Sequence, residues 1–157
     1  MAFLIDKYLP LYHYNEVHKK VIKAAAEKCF NEAKSLDFSK SFKIKILLEL
    51  RGLPVKDLRL QEFLKNMCFT YLEEQVNKEF VIDASIRDIK IFRNFYFTLI
   101  NEDKTEVSTE TRILCLTKKS KFFFSIYWFF IKPLSGITRI EMLRLLKKQA
   151  EKNLSYQ

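Results

Sequence analysis

Glycine is nearly absent from this chain, with two in 157 residues, and proline occurs three times. Flexible linkers and low-complexity tracts depend on residues of that kind, so both are excluded, and no repeat at solenoid or propeller periods is present. One domain covering residues 1–157 is expected, long enough to bury a substantial core. Histidine and cysteine are also scarce, at two and three. Cys29, Cys68 and Cys115 are odd in number, far apart and set among apolar neighbours. That pattern fits reduced core thiols better than disulfides or zinc ligands, so no metal or other cofactor is expected. No Gly-x-Ser-x-Gly elbow or other complete catalytic motif occurs. A membrane-spanning helix needs about 20 apolar residues. The longest apolar run here, Phe122 to Ile131 with Ser125 as its single polar member, stops after ten residues at Lys132 and Pro133. The opening MAFLIDKYLP places Asp6 and Lys7 where a signal peptide would be apolar. Neither a transmembrane span nor a secretory leader is expected, and the expected location is cytoplasmic.

What the chain does have is 48% hydrophobic residues, 15% aromatics and a net charge of +9. The charge is uneven. From Lys118 onward nine basic residues oppose only Glu141 and Glu151, and helical spacing gathers Arg144, Lys147, Lys148 and Lys152 on one face. Such a face is either simply solvated or makes weak contact with an anionic membrane or nucleic acid.

Periodicity outlines the elements. Residues 16 to 22, EVHKKVI, alternate as a short edge strand, and Ala24 to Ala33 is rich in helix formers. Lys40 to Pro54 carries a helical apolar pattern with Ile44, Leu47, Leu48 and Arg51 on adjoining faces, ending at Gly52 and Pro54. Gln61 to Asn66 reads either as a helical turn or as a loop. Four segments rich in Phe, Tyr, Ile, Val and Thr follow, Cys68 to Glu73, Glu79 to Arg87, Ile91 to Asn101 and Glu106 to Leu116, with NEDK as a hairpin turn between the last two. After Leu116 the period becomes helical again. Phe122 to Ile131 is apolar all round, which predicts burial on every side, and beyond Gly136 the apolar residues narrow to Ile140, Leu143, Leu146 and Ala150. Within KPLSG a kink or break is expected at Pro133, with Ser135 as a helix N-cap. The order predicts an α+β helix-grip fold, a curved antiparallel sheet wrapped around a long C-terminal helix, with two short helices after the first strand.

The segments ELRGLP (Glu49 to Pro54), STETRI (Ser108 to Ile113) and YWFFIKPLSGITRIEMLRLLKKQAE (Tyr127 to Glu151) are similar to small bacterial members of the START-like, or SRPBCC, superfamily. That group includes the birch pollen allergen and the polyketide cyclases. The resemblance implies a cavity between the sheet and the last helix that receives a lipid or other hydrophobic small molecule. Some members are enzymes, so a cyclase or hydrolase acting on an apolar substrate is the alternative to a binding protein, and fold analogy does not decide between them.

Candidate ligand contacts come from the residues themselves. On the STETRI strand Ser108, Glu110, Arg112 and Leu114 share one face, and Val107, Thr109, Thr111, Ile113 and Cys115 the other. If the first face turned inward, Glu110 and Arg112 would orient a polar head group; if outward, they would meet solvent. Tyr127 and Trp128 combine an apolar body with one polar tip, as cavity walls often do. Tyr96 and Phe97 are available to face them from the sheet. His13 and His18 flank the first strand, where partly exposed edge positions are expected.

Overall fold

The computed structural model describes residues 3–50, 52, 53, 55–66 and 69–152; Arg51, Pro54 and Cys68 lie outside them. The chain opens with a short helix, α1 (Leu4–Tyr8), followed by β1 (Tyr14–Ile22), α2 (Ala26–Lys34), a 3-10 turn at Phe38–Lys40, α3 (Phe42–Leu50) and α4 (Leu60–Asn66). Four strands follow, β2 (Thr70–Gln75), β3 (Glu79–Asp83), β4 (Ile89–Asn101) and β5 (Lys104–Cys115), and then α5 (Lys118–Glu151). The strands form one antiparallel sheet in the order β1-β5-β4-β3-β2. The helix-grip expectation is met: the first strand pairs with the last, and α5 lies across one face of the sheet, packing on β1 and β5.

Local chemistry accounts for the boundaries. Helix α3 ends where Gly52 adopts φ 67°, a left-handed conformation that costs glycine little. Gly52 N then donates to Glu49 O at 2.9 Å and Leu53 N to Leu48 O at 3.0 Å, closing the orphan carbonyls of the last turn. The β4–β5 hairpin turns at Glu102 and Asp103, where the Asn101 side chain accepts from Asp103 N at 3.1 Å. Helix α5 starts at Thr117, whose hydroxyl accepts from Ser120 N at 3.0 Å.

Strand alternation divides the sheet into two unlike faces. Toward α2, α3 and α5 point Phe80, Phe95, Phe97 and Val107, all but completely buried. Phe80 stacks on Phe95 with centroids 4.8 Å apart, and Phe30 of α2 meets Phe97 edge-on at 5.4 Å. The opposite face is covered by α1, whose Leu4, Ile5 and the following Leu9 pack on Val81 and Phe92. No helix was read from residues 4 to 8. Glu79, at the start of β3, holds α1 in place: its carboxylate accepts from Leu4 N at 2.6 Å, Ile5 N at 3.2 Å and Asn94 Nδ2 at 2.7 Å.

Three expectations about α5 are overturned. The helix runs through Pro133 and does not break, and Ser135 is not an N-cap but a buried residue of the helix interior. Pro133 lies on the exposed side of the helix. Nor is Phe122 to Ile131 buried all round. Phe124 is buried, but Phe122, Phe123, Ile126, Tyr127, Phe129 and Phe130 are exposed, Phe129 at 77%. The cause is unequal cover. Helices α2 and α3 pack with the later turns of α5, which bury Met142, Leu143, Leu145, Leu146 and Ala150. Its first turns have only the sheet beneath them, through Ile113, Cys115 and Tyr14. Gln61 to Asn66 is settled as helix, and β3 ends at Asp83, short of the Arg87 expected from sequence.

Candidate functional site

Between the sheet and α5 lies a cavity of about 210 Å³. Its walls are mostly apolar: Phe38, Ile44 and Phe63 from the helical segment before β2, Ile91 and Ile113 from the sheet, Phe124, Ile131 and Met142 from α5. Tyr127 and Trp128 also line it. Trp128 stacks on Phe124 with centroids 5.8 Å apart and a 22° interplanar angle, and Tyr14 leans against both rings. The exposed lining residues, Tyr127 at 48% and Ile86 at 62%, mark where the cavity meets solvent.

Its polar wall is small and strongly basic. Arg93 of β4 donates through Nε to Thr111 Oγ1 at 3.1 Å, and Arg139 of α5 donates to the same oxygen through Nη1. Arg139 Nη2 reaches Ser135 Oγ at 3.5 Å, and Thr138 completes this wall. Arg139 is only 3% exposed. Two guanidiniums therefore meet over one hydroxyl inside an apolar chamber. Neither arginine was singled out from sequence, although Arg93 could have been: it shares its strand face with Ile91, Phe95 and Phe97, where a cation is out of pattern. Arg139 was counted only among the basic residues of the tail, and its phase with Ser135 and Met142 is the signal that separates it from them.

Three of the five residues singled out from sequence lie elsewhere. Tyr96, Glu110 and Arg112 point to the other face of the sheet, under α1, and are not among the cavity-lining residues. Arg112 meets neither ligand space nor open solvent, and Glu110 beside it is half-buried. Arg112 is 6% exposed; its Nε lies 2.7 Å from Glu110 Oε1, and its Nη1 donates to Asp6 Oδ1 at 2.6 Å and Leu9 O at 3.0 Å. Burial by itself would lower the Arg112 guanidinium, but the hydrogen bonds to Glu110 and Asp6 outweigh it and raise its pKa. Burial likewise pulls the Asp6 carboxyl up, yet Arg112 and the Phe3 amide hold it below its ordinary value. Tyr96 meets Phe3 edge-on at 4.8 Å. This constellation fastens α1 to the sheet.

Of the histidines, His13 accepts from Cys115 N at 3.2 Å, and His18 pairs with the buried Glu16 at 2.8 Å on the side of β1 facing Gly136. Neither His18 nor Glu16 lines the cavity. The basic face at the end of α5 is partly neutralised, since Arg144 pairs with Glu141 and Lys147 lies 3.4 Å from Glu151. Among the described residues, no group of three or more histidine, cysteine, aspartate or glutamate side chains is gathered as a metal site would need. Nor is any described helix long and apolar enough to cross a membrane.

A START superfamily protein from Mycobacterium smegmatis superposes with TM-score 0.54 at 10% identity, covering 89% of this chain and 99% of that one. The chain has the START-like, helix-grip fold. A conserved protein from Geobacillus kaustophilus gives TM-score 0.51 at 12% identity over 88% and 96% of the two chains. A Thalictrum norcoclaurine synthase point mutant, solved with a transition-state analogue, gives 0.53 at 6% identity over 89% and 95%. No family model matches the chain, and no curated protein matches it in sequence.

Proposed function

We propose that the cavity between the sheet and α5 binds a small hydrophobic molecule that carries an anionic or strongly accepting group. The observation behind this reading is the pair Arg93 and Arg139 converging on Thr111 inside otherwise apolar walls. Guanidinium groups present forked donors that match a carboxylate, and such charge-assisted bonds gain strength where water is excluded. At about 210 Å³ the chamber is below the ~300–1,000 Å³ typical of drug-sized ligand sites, which points to a short-chain acid or a single ring system rather than a sterol. Tyr127 and Trp128 contact the apolar body of this guest. Binding and not catalysis is the reading, because among the described residues lining the cavity none forms an acid and base pair with a nucleophile. For the basic end of α5, where Arg144 and Lys147 already have internal partners, contact with anionic membrane or nucleic acid is weak and disappears in salt.

Trp128 is the only tryptophan and lies in the cavity wall, so its emission reports on occupancy. Octanoate is expected to change it saturably and octanol to bind about tenfold or more weakly, the difference one charge-assisted hydrogen bond supplies. Arg139→Met should remove most of that preference. No saturable response to either compound, together with native mass spectrometry showing no copurified small molecule, would contradict the proposal.

A further inference from the structure

Among the described residues, nothing covers the outward side of the first part of α5. Phe122, Ile126, Phe129, Ile137 and Ile140 recur at three- and four-residue steps with Pro133 between them, and Phe123 and Phe130 widen the row. All seven aromatic and aliphatic members are exposed, five of them at 49% or more, with Ile137 at 48% and Ile140 at 40%. From Phe122 to Ile140 the row runs about 27 Å along the helix. The opposite side of the same turns bears Phe124, Ser135 and Arg139, which face the sheet and the cavity, so this is a second apolar face and not a displaced core. A continuous exposed patch of this kind marks an interaction surface.

Charge identifies what covers it. No acidic residue occurs between Lys118 and Ile140, while Lys118, Lys119, Lys121 and Lys132 are all exposed along the row. The neighbouring loop and the start of β4 add exposed Arg87 and Lys90 against Asp88, and Leu116 N, just before α5, donates to Asp88 O at 2.8 Å. Exposed Leu116 and Ile86 extend the apolar surface there. A second copy would bring this cationic face against itself, which like-charge repulsion opposes. A long phenylalanine row edged with lysines fits the boundary between lipid headgroups and acyl chains, where the rings insert and the ammonium groups meet phosphates.

We propose that this face of α5 docks the protein on an anionic lipid bilayer, lying along the surface without spanning it. The surface differs from the basic end of the helix, where Arg144 and Lys147 are engaged with Glu141 and Glu151. Docked this way, exposed Tyr127 and Ile86 hold the cavity opening beside the lipid. That last link rests on the proposed ligand site; the docking itself does not.

The test is vesicle flotation of the full chain. Vesicles of phosphatidylcholine with phosphatidylglycerol should carry the wild type upward, and phosphatidylcholine alone should do so much less. Phe129→Glu with Phe130→Glu changes only exposed positions and should weaken binding by about tenfold or more. Lys118→Glu with Lys119→Glu should abolish the preference for phosphatidylglycerol, while Lys148→Glu at the far end should leave it intact. If the double phenylalanine variant loses its circular dichroism, Phe129→Ser alone serves the same comparison. No binding to the anionic vesicles, or binding that the phenylalanine changes leave untouched, overturns the proposal. So does a stable wild-type dimer in light scattering that the same changes dissolve, which would make the occupant a second copy. Octanoate binding is read separately on Trp128, so failure of one proposal is distinguishable from failure of the other.

Discussion

Replacing Glu79 with alanine tests how α1 is held on the sheet. The carboxylate is 1% exposed and serves three donors, two of them first-turn amides of α1 that have no partner within their own helix. Each buried donor stripped of its acceptor costs about 1–3 kcal/mol, which gives roughly 3–9 kcal/mol if nothing moves. The chain has an escape, because α1 can leave the sheet and expose its amides to water. That forfeits burial of Leu4, Ile5 and Leu9 but returns backbone entropy to the released residues, so release caps the cost. A loss toward the bottom of the first range, about 3–4 kcal/mol, is therefore expected in urea unfolding, accompanied by trypsin cleavage at Lys7. Glu79→Gln keeps one acceptor oxygen and should lose about half as much. A loss below about 1 kcal/mol, with Lys7 still protected, would show that apolar contacts alone hold α1.

Three further outcomes can be checked directly. Trp128→Ala should cost clearly less than the roughly 3–5 kcal/mol of a fully buried aromatic, because Trp128 is only partly buried at a cavity wall; denaturant unfolding reads this, and a loss at the top of that range would mean the site is solidly packed. Asp6 and Glu73 are held below their ordinary values of 3.8 and 4.5, Asp6 by Arg112 and the Phe3 amide against burial, Glu73 by Lys7 and Tyr8. Their stabilisation is complete above those values and lost as pH falls through the lower folded ones, so wild type should lose more stability than Asp6→Asn between pH 5 and 3, roughly the window in which free carboxylates titrate. Burial raises the Cys29 and Cys115 thiols, so both should react with a thiol reagent far more slowly in the native protein than in urea, as mass spectrometry of labelled peptides would record.

The meander of the last four strands was legible because two-residue alternation and turn residues are local signals: Asn101 to Lys104 defined the hairpin, and the split of β5 into two faces followed from counting by twos. What local signals do not carry is which face another part of the chain covers. Glu110 and Arg112 were correctly placed together, but their burial depends on α1, whose few residues are too short to show helical periodicity. The cavity had the same difficulty. Tyr127 and Trp128 stood out as aromatics, whereas Arg93 and Arg139 matter only because β4 and α5 bring their guanidiniums to Thr111. All-round apolarity in Phe122 to Ile131 was read as burial, since a chain alone does not show that its other helices stop short of those turns.

The pairing of β1 with β5 also sets a timetable for synthesis. Tyr14 finds its partner Ile113 about 100 positions later, which at roughly 5–20 residues per second means it emerges some 5–20 s before the strand it pairs with. The β4–β5 hairpin can form as soon as it is made, because its contacts are close in sequence. β1 instead spends that interval as an unpaired strand, with Ile22 bare and its hydrogen bonds open, and closure of the sheet waits until β5 has been made.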